Sequence, residues 1–344
     1  MTKTALITGV SGQDGAYLSK FLLERGYRVL GQVPCGSPPR TARLSELGIS
    51  QDVEIVAIDL FDVEAMRREL TRFHPDEVYN LAGPSSVAFS FQRPTEPLEV
   101  NAVAAARLLE AVRLAAPDVH LFQPSTSEMF GSSGASPQNE ATPFRPRSPY
   151  AAAKLFSHWQ TVIYREAYGL FGVCGIMFNH ESPLRSRQFV TRKITAGLAE
   201  IKHGRRDRLM LGNLEARRDW GFAGDYVEGM WCAVRHREPG DYVFATGTST
   251  SVRRFVELAA GYLGMRLDWS GSDAAEVGID DESGRTVIAI DPALYRPAEL
   301  RETVGDARHA RDVLKWSPST KLEAIVGMMA EADEKRVIEN RSLD

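Results

Sequence analysis

A doubly wound α/β fold is what this sequence predicts: a parallel sheet covered by helices on both faces, followed by a smaller C-terminal α/β domain. Three observations carry that expectation. Short apolar runs alternate with amphipathic helical stretches from the amino terminus onward, a glycine-rich turn joins the first run to the first helix, and the alternation breaks down beyond about residue 245. Strands alternating with helices require crossover connections, which place helices on both faces of a parallel sheet.

In chain order, residues 4–8 (TALIT) form a short apolar run ended by Gly9, as expected of a strand buried on both faces. Residues 15–25 place Tyr17, Leu18, Phe21 and Leu22 on one helical stripe, and Gly26 supplies a C-terminal stop. Residues 27–33 and 53–58 read as the second and third strands. A helix at 63–72 leads to a strand at 77–81, and a helix at 102–114 to a strand at 120–123. A long helix starts near Ser148–Pro149 and runs to Tyr168, with Gly169 closing it; strands follow at 173–178 and 242–245. Helices are expected at 252–263 and 321–335, whereas 270–285 is rich in Asp, Glu and Gly with little periodicity. The implied division is 1–178 plus about 218–250 for the sheet domain, and about 179–217 plus 251–344 for the smaller one.

Composition narrows the class. The chain has 344 residues, with 41 basic against 45 acidic side chains, a formal net charge of −4, and 43% apolar content. That is ordinary for a soluble globular protein of about two domains and excludes a disordered or collagen-like chain. The absence of a basic excess argues against a nucleic-acid partner. The basic stretch at 202–208 (KHGRRDR) reads as a solvated helix end or loop. Cys35, Cys174 and Cys232 are widely spaced and form no CxxC pair, so neither a disulfide framework nor a metal site is expected. No apolar stretch approaches the roughly 18 residues of a membrane span, and the first residues lack a signal-peptide pattern. A cytoplasmic, reduced protein with no membrane partner is expected.

Gly9, Gly12 and Gly15 form GxxGxxG between the first strand and the first helix. Glycine permits the tight turn and lets the backbone approach a pyrophosphate, which then lies at the helix N-terminus; this is the logic of a Rossmann-type dinucleotide site. Asp59 and Leu60, ending the third strand, are placed to meet an adenine, although a capping Asp beside a core Leu is the plainer alternative. Tyr150 and Lys154 lie four residues apart on one helical face. A lysine charge there is expected to lower the tyrosine pKa and make the phenol a base near neutral pH. Thr126 and Glu128 follow the strand at 120–123, at the sheet edge where open α/β folds bind ligands. Thr126 can hydrogen-bond a reacting hydroxyl. Glu128 adds a second acid/base, suited to removing a proton beside a carbonyl and protonating a leaving hydroxyl.

At these residues the chain resembles the extended short-chain dehydrogenases, and most closely the GDP-mannose 4,6-dehydratases. TGVSGQDGAYL, STSEMFG, RSPYAAAKLFSHW, NHESP, FVTRKIT, LGNLEARRDWGFAGDYVEGMW, DYVFATG and RPAE are similar to that family's segments in order. The resemblance implies catalytic roles for Thr126, Glu128, Tyr150 and Lys154. It implies a dinucleotide, NADP with NAD as the alternative, against Gly9, Gly12, Gln13, Asp14, Gly15, Asp59, Leu60, Leu81, Ala82, Tyr150, Lys154 and His180. It further implies a GDP-sugar held by Ser85, Asn179, Glu181, Arg185, Val190, Lys193, Arg218, Arg296 and Glu299, and subunits paired through the helices at 102–114 and 150–168 into a homodimer or homotetramer. Epimerases and ketosugar reductases use the same Tyr–Lys pair without needing Glu128.

Two segments depart from the family's pattern. Its Arg-Arg-Ser loop, which meets the 2′-phosphate of NADP, is replaced here by Cys35-Gly36-Ser37, leaving Arg40 or Arg43 as substitutes. Ala82-Gly83-Pro84-Ser85-Ser86 stands where the family has Ala-Ala-Gln-Ser and a bulkier residue. The lost bulk raises a second expectation, a pocket for the larger GDP-manno-heptose.

Overall fold

The computed structural model describes residues 2–36, 38–294, 300 and 302–343. The chain begins with β1 (Thr4–Thr8), α1 (Gln13–Leu23), β2 (Arg28–Val33), α2 (Ala42–Glu46), β3 (Glu54–Ala57), α3 (Val63–Phe73) and β4 (Glu77–Asn80). Every residue of β1 is buried, which accounts for its unbroken apolar run. After α4 (Val87–Gln92), the helix α5 (Thr95–Leu98) continues through a π-helical segment at Glu99–Ala104 into α6 (Ala105–Ala115). The helix expected from residue 102 therefore starts earlier. β5 (His120–Thr126) extends beyond the expected 120–123, so Thr126 is the strand's last residue rather than part of a following loop.

After α7 (Pro149–Tyr168) come β6 (Phe171–Met177), β7 (Asn179–Glu181), α8 (Val190–Lys202), β8 (Leu209–Leu211), β9 (Arg217–Phe222), α9 (Ala223–Val234) and β10 (Asp241–Phe244). Seven strands form one parallel sheet in the order β10-β6-β5-β4-β1-β2-β3. Alternate residues of β1 face opposite cores. Ala5 and Ile7 pack with Leu18 and Leu22 of α1 and Met230 of α9, while Leu6 packs with Met66, Leu108 and Val112 of α3 and α6. The chain reverses its direction of sheet growth between β1 and β4, and a ligand crevice opens at such a switch point.

The remaining elements are β11 (Ser249–Ser251), α10 (Val252–Tyr262), β12 (Leu267–Ser270), β13 (Val277–Asp280), β14 (Thr286–Ile290), β15 (Glu302–Thr303), α11 (Arg308–Leu314) and α12 (Leu322–Ile338). The acidic stretch at 270–285, which lacks periodicity, contains the antiparallel pairing of β12, β13 and β14; strand pairing across a half-exposed ribbon overrides its weak pattern. Helices α8, α10 and α12 bury Leu198, Phe255, Val256 and Met329 against β8 and β14, a second core separate from the main sheet. Two segments cross the expected division. β9 pairs with β7, β11 and β15 in a small sheet of their own, and Ala310, Leu314 and Trp316 of the C-terminal part pack in the main sheet's core. Among the described residues no helix is long and apolar enough to cross a membrane.

Candidate active site

The site starts at the glycine turn. Gly9 has φ +65°, and a Cβ there would lie 2.7 Å from Ala82 Cα; a Cβ on Gly15 would lie 2.6 Å from Gly9 O. Only glycine allows β1, the turn and residues 81–82 to approach this closely, and the turn leaves the first N–H groups of α1 facing the crevice. A backbone cradle that any side chain would fill, at a helix N-terminus, fits a dinucleotide pyrophosphate. Gly9, Gly12, Gln13, Asp14, Gly15, Leu81, Ala82 and His180 all line the same cleft.

Catalytic candidates meet across it. Ser148 caps α7 by accepting from Ala151 N at 3.1 Å, and Pro149 occupies the first helical position, so Tyr150 is presented on a fixed first turn. Thr126, at the end of β5, accepts from Glu128 N at 3.3 Å, and its hydroxyl favours the Tyr150 phenolate. Glu128 sits on the 3₁₀ turn Ser127–Met129, and Thr126, Glu128, Tyr150 and Lys154 all line the cleft.

The electrostatics correct one expectation. Tyr150 is pushed up to about 12, first by burial and then by the charges of Glu128 and Asp14, while Thr126 and Arg185 act in the opposite direction. The lowering expected from Lys154 does not govern the protein by itself, because desolvation of the phenolate outweighs the favourable partners. Lys154 is itself lowered to about 8 by burial, with Asp14 opposing.

Asp14, half-buried, and the buried His180 form an ion pair at 2.9 Å. The imidazole Nδ1 lies 2.7 Å from the carbonyl of Phe178 and Nε2 faces the carboxylate, so the cationic ring donates to both. Burial pushes the Asp14 carboxyl up, but the His180 charge, assisted by Gln13 and Arg185, brings it down to about 2. His180 is raised because the same carboxylate overcomes its desolvation.

On the opposite wall, Ser85, Asn179, Arg185 and Val190 line the cleft. Arg185 is stacked over Phe189, 3.6 Å from the ring centre, and pairs with Glu181 at 3.2 Å. Glu181 is buried behind this wall and also accepts from Thr191 Oγ1 at 2.6 Å, so it holds Arg185 rather than lining the cleft. Lys193 belongs to an adjoining hollow with Arg187, Gln188 and Arg206. Arg218 is buried in β9 and donates to the carbonyls of Arg217 and Leu300, each at 2.8 Å. Asp59 turns back to accept from Phe61 N at 2.8 Å, with Leu60 half-buried beside it, at the outer end of the sheet. Arg40 is exposed, and Arg43 donates through Nε to the Leu184 carbonyl at 2.8 Å. Arg296 and Glu299 lie outside the described residues.

Asn101 was missed by sequence reasoning. It lies on the π-helical turn, lines the cleft and donates to the Pro84 carbonyl at 3.0 Å; a Cβ on Gly83 would sit 2.1 Å from its Oδ1. The available signal was one polar residue inside the small apolar run VNAVAAA.

A family profile described as GDP-mannose 4,6 dehydratase matches residues 6–329. The chain is 47% identical to GDP-mannose 4,6 dehydratase 2 of Arabidopsis thaliana, covering 96% of this chain and 87% of that one. It is 46% identical to the GDP-mannose 4,6-dehydratase of Sinorhizobium fredii, covering 96% of each. Among solved structures, DesIV, a dTDP-glucose 4,6-dehydratase from Streptomyces venezuelae with NAD bound, matches with TM-score 0.81 at 21% identity over 97% of this chain and 98% of that one. RMD from Pseudomonas aeruginosa, complexed with NADPH, matches with TM-score 0.76 at 22% identity over 97% of this chain and 100% of that one. The folds agree at low identity; the sequence match spans both lobes and the cleft between them, and on that ground the chain belongs to the GDP-mannose 4,6-dehydratase family.

Proposed function

We propose that this chain removes water across C5 and C6 of GDP-mannose to give the 4-keto-6-deoxy sugar nucleotide. The observation that carries the reading is Glu128 on the same cleft as the Thr126–Tyr150–Lys154 group. Tyr150 takes the O4 proton while Thr126 holds O4, and the Lys154 charge favours the phenolate. A nicotinamide dinucleotide in the glycine cradle supplies the hydride acceptor for C4 and the donor for C6. Once C4 is a carbonyl the C5 proton is acidic; Glu128 removes it and delivers it to O6, which leaves as water, and when hydride returns to C6 the proton that Tyr150 took from O4 replaces the one lost at C5. Arg185, stacked and paired in place, offers charge-assisted bonds to the diphosphate.

NADP is the cofactor this reading favours. No carboxylate ends β2 to claim free ribose hydroxyls: Gln32 is buried there, and its carboxamide is used by Gly9 N and the Ile58 carbonyl. Arg40 and Arg43 lie just beyond. Calorimetric binding of both dinucleotides tests this, and a clear NAD preference would overturn it.

Mannose is favoured over the heptose. Ser86 is small for a structural reason, since it caps α4 by accepting from Phe89 N at 3.2 Å. Its size therefore does not call for a larger sugar.

The decisive experiment incubates the protein with GDP-mannose and NADP without added reductant and analyses the product by mass and NMR. The 4-keto product is expected from the wild type. Glu128→Gln should bind GDP-mannose with unchanged affinity and lose roughly 100-fold or more in turnover; retained turnover would remove Glu128 from the mechanism.

A further inference from the structure

We propose that residues 180–184 form a latch that couples dinucleotide binding to nucleotide-sugar binding, with Ser182 as its positioning residue. The inference rests on the assignment of Arg185 to the nucleotide sugar. Ser182 is fully buried between the glycine turn and the sugar-side wall. Its hydroxyl donates to Gln13 Oε1 at 2.8 Å and accepts from Leu184 N at 3.1 Å. The other end of the Gln13 carboxamide donates to the His180 carbonyl at 3.1 Å and to Asp14 Oδ1 at 3.0 Å. One side chain at the head of α1 therefore ties down both ends of the segment's turn.

The same turn sets Arg185, whose backbone N–H donates to the Ser182 carbonyl at 3.0 Å. On its far side, the Leu184 carbonyl accepts from Arg43 at 2.8 Å, on the helix that follows the loop after β2. Glycine turn, post-β2 helix and Arg185 are thus joined through a few hydrogen bonds, buried at the Gln13 end and half-buried at Arg43. A shift that a bound dinucleotide imposes on Gln13 is carried through these bonds to the turn that sets Arg185, so the first ligand changes how the arginine is presented to the second. The coupling must be reciprocal, because the two binding free energies share one cycle.

Titration calorimetry with NADP⁺ and GDP as probes tests this. In the wild type, saturating NADP⁺ should tighten GDP binding at least about fivefold, and GDP should tighten NADP⁺ binding by the same factor. Ser182→Ala removes the hydroxyl and should bring both ratios to about one, while Ser182→Cys, which keeps the volume and a weak donor, should fall between. Wild-type ratios of one would overturn the latch, as would full wild-type ratios in Ser182→Ala. If Ser182→Ala does not fold, the wild-type ratios and Ser182→Cys decide. Turnover of GDP-mannose is measured separately: a missing 4-keto product with the ratios as expected would overturn the dehydratase reading and support the latch, so the two fail independently.

Discussion

Burial gives Lys154 its chemistry and also makes it costly. Its pKa falls from 10.5 to about 8 because the charged amine is desolvated beside the cleft. A folded-state value below the unfolded one means the unfolded chain binds the proton more tightly, so the penalty is complete below pH 8 and vanishes above about 10.5. Lys154→Met should therefore stabilise the cofactor-free protein at pH 7, by roughly 3 kcal/mol at 1.36 kcal/mol per pKa unit, while abolishing turnover. Denaturant midpoints measured at several pH values check this: the gain should shrink as pH rises through 8. An unchanged midpoint at pH 7 would mean that the lysine is not desolvated. The Asp14–His180 pair works in the opposite sense. The Asp14 share of its stabilisation is present above pH 3.8 and lost as pH falls towards 2, and the His180 share is lost as pH rises through its raised pKa.

At the scale of elements, α7 links local chemistry to the site. Ser148, Pro149 and Gly169 were legible as its ends, and they appear as N-cap, first residue and left-handed stop with φ +71°. Tyr150 lies in the first turn, so the cap sets both the helix and the phenol. Ser148→Ala should lower stability by about 1 kcal/mol and lower kcat several-fold with little change in KM; steady-state kinetics and thermal melts measure both. An unchanged kcat would show that the cap does not position Tyr150. The π-helical turn before α6 was not legible. An extra residue per turn there gives the segment no repeat that periodicity can detect, and only contact with Gly83–Pro84 shows why Asn101 needs that geometry.

At the scale of the whole molecule, an apolar face is left exposed among the described residues. Phe156, Trp159 and Ile163 of α7 are 44%, 50% and 46% exposed at i, i+3 and i+7, with Leu98 and Val103 also exposed on the neighbouring helical segment. An apolar stripe of this kind on a globular domain marks an association surface. It lies on the helices expected to pair subunits, and a two-fold axis along α7 would bury it against its own copy. Phe156→Glu with Trp159→Glu should convert an oligomer to a monomer by sedimentation velocity. A monomeric wild type would refute the pairing.

Local sequence was enough for the alternation of strand and helix, the glycine turn, and the residue types of the four candidate catalytic side chains. Those properties depend on neighbours a few residues away: side-chain period, turn conformation and helix spacing. Tertiary structure alone decided which polar groups face the cleft. Glu181 and Arg218 carry the residue types of ligand contacts, yet one is buried behind Arg185 and the other donates to backbone carbonyls inside a small sheet. It also decided that Tyr150 sits near 12 rather than below its ordinary value. Desolvation is the sum over everything packed around a group, and residues far apart in the chain supply that packing.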